Sequence, residues 1–176
     1  MKTFRILFSC GLLMSICVIG SLAESIQTDY DHSFNLAKLK TYSFQQQQRK
    51  PEDPLAASPL NDRRIHDALD SELKAHGLTD STAGLTDFSI AYFVSTRAAF
   101  DIQDNRFGLL QRTGGLSVNQ VTEGTLTVVF TDNATHQEVW RGIVAGEIDL
   151  KHMDKDVKKN VGKLVQKFVK NQAGKE

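Results

Sequence analysis

Residues 124–148 read GTLTVVFTDNATHQEVWRGIVAGEI, and this stretch decides the fold class that the sequence predicts. Every second residue from Leu126 to Phe130 is large and apolar, a polar turn follows, and a second apolar run returns. A period of two is typical of a strand with one buried face, and a short polar segment between two such runs indicates a hairpin. We therefore predict an antiparallel hairpin here, with Trp140 in the core and Arg141 on the opposite face of the sheet.

The same period of two predicts further strands, and a period near 3.6 predicts two helices. Ser58-Pro59 is typical of a helix start and Gly77 of a helix stop, which predicts a helix over 59–76. Apolar residues at helical spacing predict a closing helix that contains residues 157–168. The other strands are expected around residues 26–30, 42–44 and 88–94.

The element order β-β-α-β-β-β-α predicts an α+β fold. We expect an antiparallel sheet of about five strands with both helices packed on one face. Residues 24–170 are expected to form this single domain, and residues 171–176 a disordered tail.

Residues 97–123 show no sustained period, so either a ragged hairpin or a mobile flap fits them. Several large apolar residues lie in this segment, and its pattern does not guarantee that they are buried. Long irregular segments of this kind are often functional. The residues predicted to contact a ligand or partner are therefore Phe100, Phe107, Leu109 and Leu110 from this segment, together with Arg141.

Residues 1–23 have the composition of a secretory signal peptide. Lys2 and Arg5 precede an apolar run, and a small-x-small cleavage site ends at Ala23. We expect export across the inner membrane and a periplasmic location. No later segment is apolar enough to be a transmembrane candidate.

Both cysteines, Cys10 and Cys17, lie in the leader, so the mature chain is predicted to contain no disulfide and no thiol site. Neither cysteine follows the small residues of a lipoprotein signal, and we favour an unanchored protein over an outer-membrane lipoprotein. The whole chain balances 21 Lys+Arg against 21 Asp+Glu, which argues against a nucleic-acid partner because such proteins are strongly basic.

The closing helix departs from this balance. Residues 151–170 hold seven lysines and two aspartates, a local net charge of +5. We interpret the helix as core-packed with a solvated basic face, and peripheral contact with an anionic membrane or wall polymer is the competing interpretation. The lysines of this basic face are Lys155, Lys159, Lys163, Lys167 and Lys170.

No motif for catalysis or cofactor binding stands out. The five histidines lack the His-Glu-x-x-His spacing of a zinc site, and no glycine-rich phosphate loop is present. The nearest approach to a nucleophile elbow, residues 115–119, lacks the second glycine. We therefore predict no metal, no cofactor and no catalytic residue.

Several short motifs occur in a fixed order along the chain. They are Tyr30-Asp31 with Phe34, Lys40–Phe44, Ile65–Leu73 with Gly77-Leu78, Thr86-Asp87, Glu123–Leu126 and Val139–Gly142. In this order and spacing they resemble the domain-of-unknown-function family 4136. The resemblance covers essentially the whole mature chain and implies a small exported protein of the bacterial envelope with no established activity. The chain departs from the family in lacking a convincing lipobox.

The sequence thus predicts a non-catalytic periplasmic module that binds an envelope protein or an apolar ligand through residues 97–123. The alternative is a periplasmic hydrolase of cell-wall or lipid substrates, with Asp101 or Asp104 as the acid.

Overall fold

The computed structural model describes residues 25–45, 53, 57–81, 85–104 and 116–174, with residues 100–104 and 116–118 described by their backbone alone. The predicted leader and both cysteines lie outside the described residues, as does most of the proline-rich connector between residues 45 and 58.

The described residues form six strands and two α-helices, in the order β-β-α-β-β-β-β-α. A short 3-10 turn, Leu36–Lys38, follows the first strand. The strands are β1 (Ser25–Tyr30), β2 (Thr41–Phe44), β3 (Thr79–Asp80), β4 (Phe88–Asp104), β5 (Leu116–Asp132) and β6 (Glu138–Glu147). The helices are α1 (Pro59–Ala75) and α2 (Met153–Gln172), so α2 continues two residues past the predicted domain end at residue 170.

The sheet has the order β1-β6-β5-β4-β2-β3, which confirms the α+β class and corrects two details of the prediction. The sheet is mixed, because β2 runs parallel to both β3 and β4. The helix α1 lies between β2 and β4 in the chain. Such a helical crossover brings the chain back to the edge of the sheet where β2 began, so β4 runs in the same direction as β2. The strand that the sequence did not predict is β3. It has only two residues, which are too few to show a period of two.

The predicted helix over 59–76 is confirmed at both ends. Ser58 is the N-cap, Pro59 is the first helical residue, and Gly77 has a φ of +83°. The Leu78 N–H donates to the Leu73 carbonyl oxygen at 3.0 Å, so the chain reverses as in a Schellman motif. Gly77 is required because side chains rarely adopt that φ.

Both helices cover one face of the sheet, and aromatic residues fill the space between. Trp140 is 1% exposed, as predicted, and its ring lies 4.8 Å from that of Phe130 and 5.5 Å from that of Phe168. Tyr42 and Tyr92 reach from the sheet to α1, where their hydroxyls donate to Asp70 at 2.8 Å and to Asp62 at 2.7 Å.

The predicted hairpin over 124–148 is confirmed as β5 and β6, and β5 also forms a second, longer hairpin with β4. β4 and β5 pair antiparallel without interruption from Phe88–Asp132 to Asp104–Leu116. Residues 97–123 are therefore a hairpin in the part that the structure describes, and the strand ladder is regular rather than ragged. The neighbouring strands stop earlier, since β2 ends opposite Ile90 and β6 ends opposite Glu123. Beyond those points the two strands project from the sheet, and we call residues 98–104 and 116–122 the arm.

Candidate functional site

An apolar cleft lies at the base of the arm, where the N-terminal turns of α1 and α2 meet the sheet. Its volume is about 110 Å³, and it is open to solvent. Strands β4, β5 and β6 form its floor, and the two helices form its walls. Its apolar lining consists of Ile65, Val94, Leu126, Val144, Ile148, Met153 and Val157.

Two glycines make room on the floor of this apolar cleft. Gly124 of β5 faces Gly146 of β6 in register, and both line the apolar cleft. A Cβ atom at Gly124 would lie 2.5 Å from Ile148 Cδ1, so the side chain of Ile148 crosses β5 only because Gly124 has none. The Ile148 N–H donates to the Thr122 carbonyl oxygen at 2.8 Å and holds the chain there after β6 ends.

Polar groups bind the two helix N-termini together beside the apolar cleft. The guanidinium of Arg64 pairs with Asp154 of α2, and its Nη1 donates to Asn61 Oδ1 at 2.8 Å. Because Asn61 and Met153 also line the apolar cleft, this network lies directly beside its wall. Asp53 attaches the connector at the same place by accepting hydrogen bonds from the Thr96 N–H at 2.7 Å and from the Thr96 hydroxyl.

One acceptor on the wall has no partner in the described part of the chain. Asn160 lines the apolar cleft, and its Oδ1 atom is buried without a hydrogen bond. A buried acceptor of this kind is costly unless a donor reaches it. The rest of the lining is mainly apolar, so the apolar cleft suits a group that is mostly apolar.

The rim is acidic at neutral pH. Asp149 accepts hydrogen bonds from the His152 ring at 2.7 Å and from the Lys151 N–H at 2.8 Å. These two hydrogen bonds, that of His152 first, hold the pKa of Asp149 below its usual value, so this carboxylate stays charged. Glu147 and Asp156 also line the rim.

The structure places the residues predicted from residues 97–123 on the arm or outside the described residues. Phe100 belongs to β4 by its backbone, and its side chain is not described. Phe107, Leu109 and Leu110 lie outside the described residues, between the two strands of the hairpin. The arm that leads to them starts at the apolar cleft.

Arg141 lies elsewhere, on the face of the sheet that the described helices leave open. Its Nε and Nη2 atoms donate to the two carboxylate oxygens of Glu138 at 2.7 and 2.6 Å. These hydrogen bonds raise the pKa of Arg141. The structure does not bring Arg141 together with the apolar cleft.

The five predicted lysines follow one stripe of α2. This stripe lies across the helix from the buried residues Val161, Leu164, Val165 and Phe168. Four of the five lysines are exposed and Lys163 is half-buried. Only Lys167 and Lys170 line a second concavity, which is described below.

Sequence reasoning missed the apolar cleft because its residues come from five separate elements. Leu126 belongs to a run that was predicted to have one buried face, and nothing in the spacing of Val94, Leu126 and Val144 shows that the helices stop short of covering them. The nearest signal in the sequence is Gly124 inside a strand, since a glycine there marks a close approach of another group, which the structure shows to be Ile148 beside the apolar cleft.

The family model that matches this chain is described as "Domain of unknown function (DUF4136)", and it matches residues 26–170. The chain belongs to the DUF4136 family. This confirms the family that the ordered motifs resemble. A search of curated proteins gives no match.

Solved structures share the fold of this DUF4136 member at low identity. A PDZ domain protein from Parabacteroides distasonis has a TM-score of 0.55 at 12% identity over 81% of this chain, and this chain spans only 35% of that protein. PelC from Paraburkholderia phytofirmans, solved as a dodecamer, has a TM-score of 0.54 at 9% identity, with 83% of this chain and 97% of PelC covered. A DUF4136 family protein from Bacteroides thetaiotaomicron has a TM-score of 0.42 at 11% identity, with 84% and 95% covered.

Two of the family motifs of this DUF4136 member, Lys40–Phe44 and Thr86-Asp87, meet at one point of the structure. Asp87 Oδ2 accepts hydrogen bonds from the N–H groups of Lys40 and Thr41 at 2.9 and 2.8 Å, which joins the start of β4 to the start of β2. Asn133 Nδ2 donates to the Thr86 carbonyl oxygen at 2.9 Å from the adjacent turn. These two motifs therefore align β2 with β4.

The described parts of this DUF4136 member contain neither a membrane-spanning helix nor a candidate metal site. Neither described helix is long and apolar enough to cross a membrane. Within the described ranges, no three His, Cys, Asp or Glu side chains come together as a set that could hold a metal ion.

Proposed function

We propose that this DUF4136 member is a non-catalytic module of the cell envelope that binds an apolar group of a partner in the apolar cleft, with the arm as additional contact surface. The observation that carries the proposal is the apolar cleft itself, which lies open where the arm leaves the sheet. Apolar concavities with a few placed polar groups are typical of binding sites.

The size of the apolar cleft indicates what it binds. About 110 Å³ is small compared with the 300–1,000 Å³ of a site for a whole drug-sized ligand. It suits one side chain or a short piece of an acyl chain.

The arm supports a polypeptide partner. On β4, the Ile90 carbonyl oxygen accepts a hydrogen bond from the Gln45 N–H, and the Thr96 N–H donates one to Asp53. Because neither partner belongs to β5, the N–H and C=O groups of the even-numbered residues of β4 point away from β5. Along the arm, no described strand pairs with these groups. An exposed strand edge of this kind can add a strand from another chain.

A dye-binding experiment tests the apolar cleft. The neutral probe N-phenyl-1-naphthylamine should fluoresce on binding the wild-type chain. Val157→Phe, which fills the apolar cleft, should weaken binding about tenfold or more, or about 1.4 kcal/mol. The matched control is Val169→Phe, the same change at another half-buried position of α2 outside the apolar cleft, and it should bind as the wild type does. Equal binding by both variants would contradict the proposal.

In-cell crosslinking tests the partner. A photoreactive residue at Met153, beside the apolar cleft, should give a discrete adduct, and the same residue at the fully exposed Leu85 should not. Mass spectrometry of the adduct also reports the processed N-terminus. Turnover of ester, glycoside or peptide substrates that disappears in Asp101→Asn or Asp104→Asn would overturn the non-catalytic assignment.

A further inference from the structure

A second concavity lies on the other side of the molecule, between β1 and the C-terminal turns of α2. We call it the basic groove. It is open to solvent, and its volume is about 490 Å³, within the range of small-molecule sites. Six of its side chains can donate hydrogen bonds, namely those of Thr28, Tyr30, His32, Lys167, Lys170 and Asn171.

The orientation of Asn171 is fixed by a buried neighbour. The indole N–H of Trp140 donates to Asn171 Oδ1 at 3.1 Å, and an indole nitrogen cannot accept a hydrogen bond. The amide oxygen is therefore committed to Trp140, and the NH₂ is the group that Asn171 can offer to the basic groove.

The two lysines supply uncompensated charge. Lys167 and Lys170 are exposed, and neither forms an ion pair with any residue in the described ranges. The C-terminal end of a helix carries about half a negative charge, which the two ammonium groups outweigh.

Asp29 is the one acidic residue of the lining, and its side chain lies on the opposite face. It alternates on β1 with Thr28 and Tyr30, and it stands opposite Arg141 in the β1–β6 register. The pKa of Arg141 is raised first by its hydrogen bonds to Glu138 and also by the charge of Asp29, which places that carboxylate near the guanidinium. The side chains that face the basic groove are thus donors without a competing carboxylate.

We propose that the basic groove binds a phosphate group. Donors from β1, from the loop after it and from α2 surround one space, as a tetrahedral oxyanion requires, and lysine is a common phosphate ligand. The rings of Tyr30 and His32, with centroids 4.2 Å apart, form a wall beside the cations for the group that carries the phosphate. The phosphate can belong to a small phosphorylated compound or to a lipid headgroup, and this assignment is independent of the apolar cleft.

Inorganic phosphate is the first probe. It should shift the NMR signals of the Asn171 side-chain amide and the Trp140 indole N–H at millimolar concentration. Lys167→Gln combined with Lys170→Gln should weaken this binding about tenfold or more. Asn171→Asp should do the same, because it keeps an acceptor for Trp140 and replaces the NH₂ with a carboxylate.

The matched control is Lys155→Gln combined with Lys158→Gln, which removes the same charge from the exposed side of the same helix outside the basic groove. It should bind phosphate as the wild type does. No response of the wild type to phosphate would overturn the proposal. Equal weakening in both double variants would also overturn it, because phosphate would then be attracted by the overall positive charge of α2 and not bound in the basic groove.

Vesicles separate the two sources. Flotation with phosphatidylglycerol vesicles should recover the wild type and not the basic-groove variant if the phosphate belongs to a lipid. Phosphate binding without flotation assigns the site to a small phosphorylated compound. Flotation that the control variant loses equally, with no response to inorganic phosphate, would overturn the proposal.

Discussion

Gly142 shows how a single residue sets the distance between α2 and the sheet. It belongs to β6 on the helix-facing side, two residues after Trp140. A Cβ atom at this position would collide with the Trp140 ring and would lie 2.8 Å from Leu164 Cδ2. The family motif Val139–Gly142 therefore combines the largest core side chain with the absence of a side chain beside it.

Gly142→Ala should destabilise the protein by about 1–3 kcal/mol, because neither the ring nor the helix can move without disturbing a packed core. The measurement is the free energy of unfolding in urea. Gly162→Ala on α2 is the control, since its Cβ would lie 3.5 Å from the Glu72 carboxyl group, an ordinary contact. It should stabilise the helix by about 0.5–1 kcal/mol. Equal stability of the two variants would contradict this explanation of Gly142.

The arm is the element whose order the sequence left open. Its polar residues, among them Asn119, interrupt the apolar pattern, so the sequence shows no sustained period of two there. The ladder is nevertheless regular, because backbone pairing does not depend on side-chain burial.

Shortening the arm should leave the domain folded. Asp101 stands opposite Asn119, and the alternation of pairs along an antiparallel ladder makes this a hydrogen-bonded pair. Replacing residues 102–118 with Asn-Gly therefore connects the two residues by a two-residue hairpin turn. We expect the free energy of unfolding to stay within about 0.5 kcal/mol of the wild type, because the core residues lie elsewhere. The crosslink from Met153 should weaken, because the additional contact surface is lost while the apolar cleft remains. A loss of stability of several kcal/mol would mean that the arm is part of the core structure.

At the scale of the whole molecule, stability at low pH depends on how the strands are joined. Burial alone would raise the pKa of Asp87, but hydrogen bonds from the N–H groups of Thr41 and Lys40 lower it below the usual value. A carboxyl group with a lowered pKa stabilises the fold above its unfolded-state pKa of about 3.9, and this stabilisation is lost as the pH falls through the folded-state value.

Asp87→Ala should cost about 1 kcal/mol at pH 7, a modest value because the side chain is exposed, and should flatten the loss of stability below about pH 4. The buried Trp140 is the only tryptophan, so its red-shifted emission reports unfolding. Asn133→Ala removes hydrogen bonds to Thr86 at the same point without removing an ionisable group, and should lower stability equally at every pH. An unchanged slope in Asp87→Ala would contradict the assignment.

The local signals in the sequence were enough to predict α1, the β5–β6 hairpin, the buried Trp140 and the family. Each of these depends on neighbours in the chain, such as Ser58 and Pro59 at a helix start or Gly77 at its stop. The parallel pairing of β2 with β4 could not be predicted this way, because the residues are more than 40 positions apart and either direction would bury the same side chains.

The sequence by itself determined the class of the fold, the two ends of α1 and which residues of each predicted strand face the core. Period and capping are properties of a few consecutive residues, which is why the sequence shows them. Only the tertiary structure decided where function can lie. The apolar cleft joins residues of α1, α2 and three strands, and the basic groove joins β1 to the far end of the chain. A concavity forms where elements that are distant in sequence do not cover one another completely. The spacing of residues along the chain contains no information about that incomplete coverage.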